Sequence, residues 1–156
     1  MQRDPRKPNY GGFFEATAGG SALKGENAHS CAMRELQEET GIATGTLTNI
    51  GRFISRDTIY ETFLCVTVCD KNSVTLQEGE TVSYKWISEA EFIDFVNSDT
   101  MIDVQFRRYQ PYLKQIGYIK KQNRPPMLDV KAVCSYIYIK YIKIRNCEIK
   151  KSSSNV

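Results

Sequence analysis

The chain has 156 residues, of which 41% are hydrophobic and 25% charged, with a formal net charge of +3. That length and balance suit one globular domain with a core and are too small for two. No apolar run reaches the roughly 20 residues of a membrane-spanning helix, so a membrane-embedded function is not expected.

Residues 1–20 read as loop and short strand: Pro5 and Pro8, then Tyr10-Gly11-Gly12, then the apolar Phe13-Phe14. The opening MQRDPRKPNYGG is charged and lacks an apolar core, so it does not read as a secretion signal. A helix is predicted from about Asn27 to Thr40, with Asn27 as N-cap and Gly41 just past its end. Residues 47–56 suit a strand. Thr58–Cys69, rich in Ile, Tyr, Phe, Val and Thr, suits a stronger one. Asp70-Lys71-Asn72-Ser73 reads as a turn, and Thr81–Ile87 as a further strand. Ser88-Glu89-Ala90-Glu91 matches a capping box and predicts a helix from Glu89 to about Val96. Another helix is expected from Ser98 or Asp99, interrupted at Pro111 and closed at Gly117. After Ile119, KKQNRPP has linker composition, SYIYIKYIKI is β-prone, and KKSSSNV is polar.

Charge divides the chain at the same place. Residues 1–118 carry 12 Lys and Arg against 16 Asp and Glu, whereas 119–156 carry 9 against 2. A basic arm for nucleic acid has this asymmetry, as does an unrelated tail joined to an acidic domain, and the second is preferred here. The expected organisation is a domain over 1–118 and a basic tail over 119–156. The five cysteines are an odd number without a C-x-x-C pair, which suits reduced thiols in the cytoplasm. One histidine and no paired cysteines leave no donor set for zinc.

The segment GGSALKGENAHSCAMRELQEETGI (residues 19–42) gathers Glu26, Glu35, Glu38 and Glu39. At 100° per residue, Glu35, Glu38 and Glu39 share an arc of about 100° beside the buried stripe of the helix. Like charges at these spacings repel by a few tenths of a kcal/mol per pair. A hard divalent cation reverses that sign. Three glutamates on one helix face are common on surfaces, so the helix by itself does not decide between solvation and metal binding.

The punctuation carries more weight. Gly20-x5-Glu26-x7-Arg34-Glu35-Leu36-x-Glu38-Glu39-x-Gly41-Ile42 resembles the signature of the Nudix hydrolases at all its fixed positions. A chance match is on the order of one chain in 10⁸. The resemblance covers about residues 2–118. It implies an α/β class fold, an α/β/α sandwich around a mixed sheet with a loop–helix–loop motif. It also implies hydrolysis of a nucleoside diphosphate linked to another group, with Mg²⁺ or Mn²⁺ as cofactor. Glu35 and Glu39 then resemble the principal metal ligands, Glu38 a third ligand or the base, and the Gly20 carbonyl the loop ligand. Arg34 resembles the residue that steers a neighbouring carboxylate such as Glu26. Glu80, or Glu78, resembles a glutamate that members use outside the signature. Arg52, Phe53, Tyr60 and Phe63 are candidates for holding a base. YGGFFEATAGG and Lys85-Trp86-Ile87-Ser88 look like a bacterial branch related to isopentenyl diphosphate isomerase.

Family members carry one or more strands ahead of the stretch aligned with Gln2-Arg3, so a domain short at its N-terminus, with an exposed sheet edge, is expected. The tail has no counterpart in the resemblance. It either fills the vacant edge or is a readthrough or frameshift product, and the latter is preferred. A small diphosphate is the expected partner, nucleic acid and membrane are not, and a homodimer stays open. Two other functions compete. One is a Nudix-fold binding module without turnover. The other is an isomerase of isopentenyl diphosphate, which a single histidine cannot equip.

Overall fold

The computed structural model describes residues 1–55 and 57–119, together with the backbone of 138–145. The elements in chain order are β1 (Gln2–Arg3), β2 (Gly19–Ser21), α1 (Ala28–Thr40), β3 (Thr46–Ser55), β4 (Thr58–Val66), β5 (Thr81–Ser83), α2 (Glu89–Val96), α3 (Asp103–Gln115) and β6 (Tyr138–Arg145). A small antiparallel sheet pairs β1 with β5, and a mixed four-stranded sheet has the order β2-β6-β4-β3.

The faces of the larger sheet follow from the alternation of side chains along a strand. On β4, Phe63 packs with Cys31 and Ala32 of α1, and Cys65 with Leu36 and Ile42. Tyr60, of opposite parity, meets Arg108 of α3, whose guanidinium lies 3.8 Å from the centre of the ring. The sheet is thus covered by α1 on one face and α3 on the other, an α/β/α sandwich of the expected class. The second core, Phe92, Val96, Met101, Tyr109 and Leu113, fastens α2 to α3, and Ile50 of β3 packs against it.

Local chemistry explains most boundaries. Asn27 caps α1, its side-chain oxygen accepting from the Ser30 amide at 2.9 Å. Gly41 ends the helix in the left-handed region (φ 73°) while its amide donates to the Gln37 carbonyl. Glycine reaches that conformation without a Cβ clash. At α2 both bonds of the capping box form: the Glu91 amide donates to Ser88 Oγ, and the Ser88 amide to the Glu91 carboxylate.

Three boundaries differ from expectation. β4 ends at Val66, whose partner Thr46 is the first residue of β3, and β5 spans only Thr81–Ser83, matching a partner strand of two residues. α3 begins at Asp103 rather than near Ser98. The Ser98 hydroxyl bonds Thr100 locally, and Met101 and Ile102 turn inward as buried residues. Pro111 lies inside α3 without interrupting it. Its fixed φ suits a helix, and the one carbonyl deprived of a donor belongs to the exposed Arg107, where water can reach it.

Of the tail, Tyr138–Arg145 is a strand. The run does not fill a sheet edge but lies inside the sheet, between β2 and β4.

Candidate functional site

The site is built from β2, α1 and the loop between them. Arg34, near the middle of the helix, is its electrostatic hub. Its Nε and Nη2 donate to the two oxygens of Glu26, both at 3.0 Å. Its Nη1 donates to Glu35 at 2.9 Å and to Glu38 at 2.8 Å, and Nη2 also reaches the Ser21 carbonyl at 3.2 Å. Glu26 therefore closes the loop back onto the helix as a bidentate pair. The Arg34 bonds, with a further one from the Leu23 amide, hold its carboxyl at about 2, against a burial effect in the opposite direction. The same bonds, led by those to Glu26, raise the Arg34 pKa further above its already high value.

Glu35 and Glu39 are largely buried, at 9% and 7% relative exposure. Both turn toward the glycine backbone of β2. The Gly19 amide donates to Glu39 at 3.2 Å. At Gly20, a Cβ would stand 2.1 Å from the Glu35 carboxylate, so the absence of a side chain there makes the space that Glu35 occupies. Glu38 differs, with its side chain 47% exposed and one oxygen on Arg34. Among the described residues no three His, Cys, Asp or Glu side chains gather as a ready cation cage. Arg34 supplies the positive charge that holds Glu35 and Glu38 together. The donors on offer are carboxylate and backbone oxygens beside a side-chain-free backbone, a set that suits Mg²⁺ or Mn²⁺ by hardness.

Glu80 stands apart. It is ion-paired with Lys7, and its carbonyl accepts from the Asp4 amide at 3.0 Å. Glu78 is exposed on the preceding turn. Arg52, Phe53 and Tyr60 do not share a face. Arg52 pairs in register with Glu61, and Phe53 with Tyr60. The two rungs are adjacent, so they point to opposite sides. Arg52 bonds the buried carboxylate of Glu61, which also accepts from Asn49 at 2.9 Å. Glu61 alternates with Phe63 and Cys65, which puts it on the α1 face. Gly20, Ile142, Glu61 and Arg52 follow one another by register across β2, β6, β4 and β3. Two strand spacings, about 10 Å, thus separate Gly20 from Glu61. Phe53 and Tyr60 instead line a cavity of about 170 Å³ on the α3 face, with Ser55, Val104, Arg107 and Arg108. Phe63 is core, edge-on to His29 at 6.3 Å.

Sequence reasoning passed over Glu61 and Asn49. The available signal was a lone carboxylate in the strand TIYETFLCV at the parity of Phe63 and Cys65.

No curated protein and no solved structure matches the chain. A family model described as the NUDIX domain matches residues 1–107, which run from β1 into α3 and include the whole site. On that match, and with the Gly20–Ile42 loop and helix folded around Arg34, the chain belongs to the Nudix family of hydrolases.

Proposed function

We propose that the protein hydrolyses the diphosphate bond of a nucleoside diphosphate linked to another group, with Mg²⁺ or Mn²⁺ as cofactor. The observation that carries this is the pair of buried carboxylates, Glu35 and Glu39, turned toward the Gly19-Gly20 backbone. Glu35, Glu39 and Glu38, with the Gly20 carbonyl, would hold the cation. When bound, it supplies positive charge to the diphosphate and acidifies attacking water.

The chain's own residues do the rest. Arg34 orients Glu35 and Glu38 through Nη1, while its two bonds to Glu26 keep the loop folded against the helix. Glu38, being exposed and held by a single oxygen, is the carboxylate best placed to take a proton from water. Glu80 is the second candidate base and would first have to leave Lys7. Arg52, exposed and on the α1 face, suits the group beyond the diphosphate. Phe53 and Tyr60 suit a base on the other face only.

The test is product release from nucleotide sugars, dinucleotides, nucleoside triphosphates and prenyl diphosphates, with Mg²⁺ or Mn²⁺, with chelator, and with Glu39→Gln. Cleavage that chelator stops, and that Glu39→Gln lowers by two orders of magnitude or more without unfolding, is the expected result. Unchanged activity in the variant removes the reading.

A second reading, a binding module without turnover, draws on the Arg34 clamp, which ties up oxygens of both Glu35 and Glu38. It predicts that a nucleoside diphosphate derivative binds and is recovered intact.

A further inference from the structure

β2 is three residues long, and two of them are glycines. Among the described residues it has one neighbour in the sheet. Gly19, Gly20 and Ser21 pair in parallel with Tyr141, Ile142 and Lys143, while β4 covers the opposite edge of β6 from Tyr138 to Arg145. A glycine strand has no side chains to pack, so backbone hydrogen bonds are what hold it in place. On its helix side β2 has the Gly19–Glu39 bond, the Arg34 bond to the Ser21 carbonyl and the Glu35 carboxylate over Gly20. On its sheet side its partner among the described residues is β6. The loop that presents Gly20 is thus joined to the rest of the large sheet through a segment more than 100 residues later in the chain.

We propose that residues 138–145 form the positioning strand of the catalytic loop: the β6 backbone sets where Gly19 and Gly20 stand relative to Glu35 and Glu39, and so sets cation affinity. The pairing stands by itself. The consequence for the cation rests on the metal reading given above. β6 also spaces β2 from β4, which puts Gly20 and Glu61 on one rung with a strand between them. Without β6, β2 has no bonding partner in the sheet among the described residues, and the backbone that faces the α1 carboxylates loses its support from the sheet.

The experiment uses the full chain with Mn²⁺ as probe. Hydrogen exchange is followed by segment, and free Mn²⁺ is measured by electron paramagnetic resonance. Ile142→Pro, which removes one backbone donor from β6, is compared with Ile142→Val, which keeps it. The expected result is slow exchange at 138–145 and 19–21 in the parent chain and in the Val variant, with equal Mn²⁺ affinity. The Pro variant should lose protection at 19–21 and bind Mn²⁺ at least tenfold more weakly, while α2 and α3 stay protected. Three results would overturn the proposal: exchange at 138–145 in the parent chain as fast as in an unstructured peptide, unchanged Mn²⁺ affinity in the Pro variant, or equal loss of protection in α3, which would make β6 a support of the whole fold. A parent chain that protects 138–145 yet does not bind Mn²⁺ overturns the metal reading and, with it, the effect on affinity.

Discussion

At the scale of the residue, Arg34 decides how three carboxylates coexist. A guanidinium offers five donors in a rigid plane, and here Glu26 takes two of them while one nitrogen serves Glu35 and Glu38. Lysine at 34 would present one point charge and could not bridge all three. Arg34→Lys is therefore expected to lower turnover at least tenfold, with a fall of a few degrees in Tm. Glu26 sets a pH window. The Arg34 bonds bring its folded pKa to about 2, below the ordinary glutamate value of 4.5, so its contribution is complete above about 4.5 and is lost as pH falls through 2. The stability difference between the parent chain and Glu26→Gln should then be constant from pH 5 to 8 and shrink toward zero near pH 2, as followed by urea unfolding. Gly20→Ala places a methyl in the Glu35 carboxylate. Loss of Mn²⁺ binding by more than tenfold, with fold retained, is the expected outcome by circular dichroism and metal titration.

At the scale of the element, α1 and α2 show how far local chemistry reaches. Each has a side-chain N-cap, and those caps were readable from short stretches of sequence. Ser88→Ala removes the α2 cap and should cost about 1 kcal/mol of stability, measured as a lower urea midpoint at unchanged slope. β3 shows where local reading stops. A bulge between Asn49 and Gly51 inserts Ile50 as an extra residue. Parity alone would set Arg52 and Asn49 on opposite faces. The bulge returns Arg52 to the α1 face, where both residues bond Glu61. Nothing in TLTNIGRFIS marks that shift except a glycine at 51.

At the scale of the molecule, a buried polar network ties the small sheet to the helical layer. Glu15 is held by Arg3 of β1 at 3.0 Å and by the amide of Gln105 on α3. Removing one partner of such a pair leaves the others desolvated, which costs about 3 kcal/mol or more. Glu15→Ala should lower the urea midpoint by far more than Ser88→Ala does. The Nudix signature and the caps of α1 and α2 were legible because each depends on residues close in sequence, a cap reaching three positions and a helix face four; the sandwich class followed from the resemblance that the signature carries. The signature also named the carboxylates now found against β2. What local sequence could not show was the route by which the site is held together. The slot of β6 beside β2, the shared rung of Gly20 and Glu61, and the separation of Arg52 from Phe53 and Tyr60 all depend on pairing between distant strands. The sequence by itself determined the chemistry of the loop and helix, since charge and glycine spacing act over a few residues. Only the tertiary structure decided which backbone stands behind that loop, because strand register is chosen by hydrogen bonds between segments that the chain must first bring together.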